Sequence, residues 1–189
     1  MPTETRWEAI RMTNKIILAG FGGQGILFLG KKLASAGMEK DLNVTWLPSY
    51  GPEQRGGTCN CSVILSDTDI SSPIISSPDT LVAFNIQSYD KFMQKIVPGG
   101  VLFADSTLID KRPERDDIKA YFIPATQIAN DLGTPKLVNV VMLGYFIKNT
   151  GLFDKDYIRS YLTDSLPASK AALREANGKA FDAGFGYSE

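Results

Sequence analysis

The apolar run Lys15-Ile16-Ile17-Leu18-Ala19 passes directly into Gly20-Phe21-Gly22-Gly23-Gln24-Gly25, and Ile26, Leu29, Leu33 and Ala36 follow as an apolar stripe. That spacing is close to helical, so the segment predicts a buried strand, a glycine turn and a helix to about Met38. Gly20, Gly22 and Gly25 satisfy G-x-G-x-x-G in the required place, after a strand and opening a helix. A turn of this kind lets backbone N–H groups and the helix N-terminus meet a phosphorylated ligand, which makes Gly22, Gly23, Gln24 and Gly25 candidate contacts. Dinucleotide binding also needs an acidic residue at the tip of the second strand to hold a ribose hydroxyl. The second strand pattern, Val44-Thr45-Trp46-Leu47, runs into Pro48-Ser49-Tyr50, with no carboxylate before Glu53. The lysine of a phosphate-loop NTPase is missing as well. Close helix-to-strand packing or another phosphorylated ligand remains open for the turn.

Further along, Thr58 to Leu65 predicts a third strand, joined to the second by a connection too short for a parallel crossover and therefore antiparallel to it. Alternation puts Cys59, Cys61, Val63 and Leu65 on one face, where the two thiols pack as small hydrophobes. Strands are expected near residues 80–84, 101–104 and 120–123. Ser88 is expected to cap a helix carrying Tyr89, Phe92, Met93 and Ile96 at helical spacing. Pro124 opens a short helix to about Leu132, and Pro135 stands at the first position of a long apolar helix to Lys148. Two C-terminal helices, residues 154–166 and 168–183, are separated by Pro167. The expected fold is one three-layer α/β/α domain over residues 15–189 with a mostly parallel, partly antiparallel sheet, preceded by a polar extension over 1–14.

Composition narrows the chemistry. Histidine is absent from the 189 residues, which removes the commonest general base near neutral pH and every serine–histidine or cysteine–histidine arrangement. Two cysteines fall short of the four that an iron–sulfur cluster takes, and no metal site is expected. A net charge of -1 carries no footprint for nucleic acid. No apolar run approaches the length of a membrane helix, and the polar N-terminal stretch lacks a signal core. A cytoplasmic protein is expected.

The segment Pro48-Ser49-Tyr50-Gly51-Pro52-Glu53-Gln54-Arg55-Gly56-Gly57 spends its residues on backbone shape, with prolines fixing φ and glycines opening conformations closed to other residues. Tyr50, Glu53 and Arg55 stand between these fixed points, so the loop is a candidate for holding a ligand or a partner. Arg55 suits bidentate contact with a phosphate or carboxylate, or a local salt bridge with Glu53. Asn85 follows the fourth strand at its C-terminal end, where open α/β sheets bind ligands, though helix capping accounts for it too. Asn139 lies among apolar residues and needs hydrogen-bond partners; tying down a nearby loop carbonyl is the expected role.

The glycine turn, the Pro48–Gly57 loop and Asn139 together resemble the gamma subunit of 2-oxoacid:ferredoxin oxidoreductases, most closely the 2-oxoglutarate branch, with the branched-chain branch near it. The resemblance covers residues 15–151 and extends weakly to Asn177, Ala180 and Gly184. Gln54 and Cys59 depart from the methionine and alanine common in that family. Enzymes of this kind decarboxylate a 2-oxoacid on thiamine diphosphate with Mg2+, pass electrons through iron–sulfur clusters to ferredoxin and release an acyl-CoA. The resemblance implies a chain without catalytic residues or cofactors of its own, partnered by alpha, beta and ferredoxin-like delta subunits. CoA contact is implied as an added role. The chain lacks a Gly-Asp-Gly metal-diphosphate motif and a ferredoxin cysteine series, as a gamma role requires. Two other readings remain: a free-standing nucleotide- or CoA-binding module, and a dehydrogenase using the glycine turn for NAD.

Overall fold

The computed structural model describes residues 13–50 and 58–188. Its strands are β1 (Asn14–Phe21), β2 (Asn43–Tyr50), β3 (Thr58–Ser66), β4 (Thr80–Ala83), β5 (Val101–Asp105) and β6 (Lys119–Ile123). They form one six-stranded sheet in the order β2-β3-β1-β4-β5-β6. β1, β4, β5 and β6 pair in parallel, while β3 is antiparallel to both β1 and β2. Only residues 51–57 separate β2 from β3, too few for a crossover, so the chain must double back. Insertion of β3 between β2 and β1 carries a further consequence. The end of β2 and the start of β3 both lie on the edge where β1 delivers the glycine turn, with Thr58 paired to Phe21.

Side-chain alternation divides the core in two. Ile16, Leu18, Val82, Phe84 and Phe103 face one helical layer, built from α1 (Ile26–Met38), α3 (Ala125–Asp131), α4 (Val138–Thr150), α5 (Lys155–Asp164) and α6 (Ala171–Gly186). Ile17, Ala19, Leu81, Ala83, Leu102 and Ala104 face the other, formed by α2 (Ile86–Phe92) and the segments around Ile96 and Ile109. Strands buried on both faces read as continuous apolar runs, which is why residues 15–19 show no alternation. Cys59, Cys61, Val63 and Leu65 share the first core, as their register predicts.

Four local expectations need correction. β2 does not end at Leu47: Pro48, Ser49 and Tyr50 continue it and pair with Cys61, Asn60 and Cys59 of β3, and β2 is the edge strand of the sheet, where a proline is tolerated. Ser88 does not cap α2: Asn85 does, its Oδ1 accepting the Ser88 N–H at 2.8 Å from an extended backbone. Asn outranks a position inside the first turn because only a residue preceding the helix can fold its side chain back onto the free N–H groups. Pro135 begins a 3-10 turn, Pro135–Leu137, and the α-helix proper starts at Val138. The last helix likewise opens with a 3-10 turn, Ala168–Lys170, then runs from Ala171 to Gly186. In both places the first turn tightens where no side chain caps the helix.

α4 is buried at every residue from Val138 to Ile147. It lies so close to α6 that the two backbones touch. A Cβ on Gly144 would strike the Phe181 carbonyl oxygen and come within 2.7 Å of the Phe185 nitrogen, and one on Gly184 would run into the Val141 carbonyl. Around this crossing, Phe103, Tyr121, Tyr145, Phe146 and Tyr187 form a chain of edge-on and stacked rings. Arg159 then links α5 to α6 by a bidentate pair with Asp182 at 2.8–3.0 Å. That pair is half-exposed and contributes at most about 1 kcal/mol; the crossing carries far more. Gly144→Ala and Gly184→Ala are each expected to cost about 3 kcal/mol in urea denaturation, because backbone cannot move aside as a side chain can. Gly186→Ala, where a Cβ meets nothing within 4 Å, is expected to stay within about 0.5 kcal/mol of the parent.

Candidate functional site at the C-terminal edge of the sheet

β1 ends in a tight turn in which the Gln24 N–H donates to the Phe21 carbonyl at 3.2 Å. Gly23, at the exposed tip, has φ +101°, and Gly25, preceding α1, has φ +75°. These left-handed backbones require glycine. The Gln24 side chain turns inward: its Oε1 accepts the Phe21 N–H at 2.7 Å, and its Nε2 donates to the Phe84 carbonyl at 3.3 Å. One amide therefore joins the end of β1 to the end of β4. Gly20 admits this side chain, since a Cβ there would lie 2.6 Å from Gln24 Oε1.

Asn139 secures the other side of the turn. Its Nδ2 donates to the Gly25 carbonyl at 3.2 Å, and its Oδ1 accepts the Val140 N–H at 3.0 Å. The expected tie to a loop carbonyl is thus present, made from α4 across 114 positions of sequence. Among the described residues no side chain caps α1, whose first-turn N–H groups and positive dipole end stand at the glycine turn.

Asn85 lies at the end of β4 and is 2% exposed. Its Oδ1 caps α2, but its Nδ2 is buried without a hydrogen-bond partner among the described residues. An orphaned buried donor is costly and calls for an acceptor. At the end of β5, by contrast, the Asp105 carboxylate is fully engaged, accepting the Thr107 N–H at 3.1 Å, the Thr126 N–H at 3.2 Å and the Thr126 hydroxyl at 2.5 Å. Asp105 fastens α3 to the sheet and was not singled out from sequence. An aspartate ending an apolar strand was the available signal, but its partner lies 21 residues away.

The edge thus gathers the glycine turn, Asn85 and the strand ends on either side of residues 51–57, Tyr50 of β2 and Thr58 of β3. Gly51, Glu53, Arg55, Gly56 and Gly57 lie outside the described residues, as does the Tyr50 side chain. What is assembled here is amide and N–H donors at a helix N-terminus, an arrangement suited to holding an anionic ligand. Among the described residues, no group of three or more His, Cys, Asp or Glu side chains is placed to hold a metal ion, and no helix is long and apolar enough to cross a membrane.

α1 is seated by Cys61: a Cβ on Gly30 would collide with the Cys61 sulfur, and the thiol donates to the Ile26 carbonyl at 3.6 Å. Burial pushes this thiol from an ordinary value near 9 up to about 12, despite hydrogen bonding with Trp46.

The class of fold is a three-layer α/β/α domain with a mixed six-stranded sheet. The chain belongs to the pyruvate ferredoxin/flavodoxin oxidoreductase family, whose model matches residues 15–187, and it is a gamma-subunit-like member. It is 37% identical over 180 residues to the 2-oxoglutarate synthase subunit KorC of Methanocaldococcus jannaschii, covering 93% of this chain and 94% of that protein. It is also 37% identical over 172 residues to the ketoisovalerate oxidoreductase subunit VorA of Methanothermobacter marburgensis, covering 90% of this chain and 35% of that one. The chain therefore spans about a third of the length of the ketoisovalerate relative.

Among solved structures, the gamma subunit of a keto/oxoacid ferredoxin oxidoreductase from Geobacter sulfurreducens superposes with a TM-score of 0.79 at 30% identity, covering 92% of this chain and 95% of that one. The 2-oxoglutarate:ferredoxin oxidoreductase of Magnetococcus marinus, solved with 2-oxoglutarate, coenzyme A and succinyl-CoA bound, superposes at 0.83 and 26% identity, covering 93% of this chain and 31% of that one.

Two outcomes follow from the site geometry. Asn139→Ala is expected to cost about 1–3 kcal/mol, measured by thermal or urea unfolding, because it deletes the donor to Gly25 from a buried position. Stability is also expected to fall as pH rises from 9 towards 12. The unfolded Cys61 thiol ionises near 9, whereas the folded one keeps its proton to about 12, so alkali draws the chain towards the unfolded state. A Cys61→Ala variant, followed by urea denaturation against pH, should lose part of that slope.

Proposed function

We propose that this chain is the gamma subunit of a multi-chain 2-oxoacid:ferredoxin oxidoreductase that acts on 2-oxoglutarate and releases an acyl-CoA. The observation that carries this reading is the end-to-end correspondence with the KorC-type relative, 93% of one chain against 94% of the other. Alpha and beta chains then supply thiamine diphosphate and Mg2+, a ferredoxin-like delta chain supplies iron–sulfur clusters, and the assembly works in the cytoplasm. The equal identity to a ketoisovalerate subunit favours a branched-chain 2-oxoacid as the second reading.

Within the assembly, the glycine turn is proposed to hold the diphosphate of CoA. Gly22, Gly23, Gln24 and Gly25 present the uncapped start of α1, and Asn85 Nδ2 supplies a donor that otherwise has no partner. The Magnetococcus relative with coenzyme A bound supports this choice of ligand. Tyr50, Gly51, Glu53, Arg55, Gly56 and Gly57 are proposed to contact the same ligand or the neighbouring chain, since the strand ends on either side of residues 51–57 lie beside the turn. Gly25 and Asn139 act indirectly, by setting the turn's shape.

Coexpression with the alpha, beta and delta chains should yield CoA-dependent reduction of ferredoxin with 2-oxoglutarate, and this chain alone should yield none. Turnover with a branched-chain 2-oxoacid instead would move the substrate to the second reading. Asn85→Ser retains a capping oxygen while removing the amide donor. It should keep the parent's melting temperature within a few degrees and raise the CoA Kd about ten-fold in calorimetry, the loss of one hydrogen bond to a charged group.

A further inference from the structure

The helical layer of α2 covers Ile17 and Ala19 of β1, but the core it forms contains no residue of β2 or β3. Register puts Ser62 and Asn60 of β3, then Leu47 and Ser49 of β2, beside that pair on the same side of the sheet. Leu47 is 41% exposed, Ser49 is exposed, and Asn60 and Ser62 are half-buried. On the opposite side, Cys59, Cys61 and Val63 are buried in the core shared with α1. β2 is also the outermost strand, so its outer N–H and C=O groups form a free edge among the described residues. Trp46, 36% exposed, stands at this edge on the α1 side, against Gly30. The eight residues of β2 and the nine of β3 include no Lys, Arg, Asp or Glu, in a chain of which 22% is charged. An edge strand that faces water is normally guarded by charge, as the other edge strand, β6, is by Lys119.

We propose that the free face and edge of β2 and β3 are where the alpha chain docks, the chain equivalent to the remainder of the ketoisovalerate relative. The inference rests on the reading of this protein as a gamma subunit. The matched domain makes up 35% of the ketoisovalerate relative and 31% of the Magnetococcus chain, but 94% of the KorC-type protein. A contact that a continuous chain enforces in the longer proteins has to be held by surface chemistry alone in the shorter ones. Interface cores are depleted in charge and enriched in aromatic residues, which describes Trp46, Leu47 and their uncharged neighbours. The partner's matching surface is uncharged too, apolar over Leu47 and hydrogen-bonding over Ser49, Asn60 and Ser62. The face ends at Tyr50 and Thr58, so it runs on into residues 51–57, for which contact with the neighbouring chain is proposed above. A second copy of this chain fits less well, because a β2-to-β2 ladder would bring in Pro48 from both copies.

Calorimetric titration of the purified alpha chain with the full chain tests the surface, with sedimentation of each protein alone. Leu47→Asp and Ser49→Lys should each raise the Kd for the alpha chain at least about ten-fold, because a charge would be buried without a partner. Both should keep the melting temperature of the isolated chain within a few degrees. Ser49→Lys, at an exposed position, decides the matter should Leu47→Asp fail to fold. Gln94→Lys makes the same change of charge at an exposed position beyond α2 and should bind as the parent does. A Ser49→Lys chain that binds like the parent, or a Gln94→Lys chain weakened to the same extent, would overturn the surface and leave the gamma-subunit reading standing. An isolated chain that sediments as a dimer and is split by Ser49→Lys would give the surface to a second copy and overturn the proposal. Failure of the parent to bind the alpha chain at all would overturn both readings.

Discussion

The contact on which the candidate site depends is the hydrogen bond from Asn139 to the Gly25 carbonyl. It requires α4 to approach the turn so closely that a Cβ on Gly25 would meet the Asn139 amide. That approach is set elsewhere, by the depth to which α4 sinks against α6 at Gly144 and Gly184. Small residues at a helix crossing thus govern the shape of the glycine turn at the N-terminal end of the same helix. Gln24 completes the restraint from the sheet side, by joining β1 to β4. The turn is held from three elements, β1, β4 and α4.

The edge is asymmetric in how its polar groups are satisfied. Asp105 has every partner it needs and serves to fasten α3. Asn85, one strand away, has an acceptor atom engaged and a donor atom idle. Burial makes that idle donor expensive. Donors cluster at the first turn of α1, and Lys31 and Lys32 continue the positive character along its outer face.

Local chemistry in the chain announced most of the elements. Residues 15–19, the stripe from Ile26 to Ala36 and the alternation through Cys59, Cys61, Val63 and Leu65 were legible because strand and helix periods are short-range properties. The short second connection likewise required β3 to be antiparallel. Capping was harder to read: Asn85 and Ser88 are both good capping residues, and the choice between them turned on where α2 began. The 3-10 turns at Pro135 and Ala168 were missed because a periodic pattern does not distinguish them from α-helix.

By itself the sequence determined the strand–turn–helix unit, the two buried thiols, the absence of histidine chemistry and the need of Asn139 for a partner, since each depends on residue type and near-neighbour spacing. Tertiary structure decided that β3 inserts between β2 and β1, and so that Tyr50 and Thr58, on either side of residues 51–57, end beside the glycine turn. It also decided that Gly144 and Gly184 meet, that Thr126 completes Asp105, and that Phe28 and two lysines share a pocket with Tyr161. Strand order and helix depth are chosen by the whole core at once, through the fit of buried side chains from distant segments. No local window of sequence carries that information.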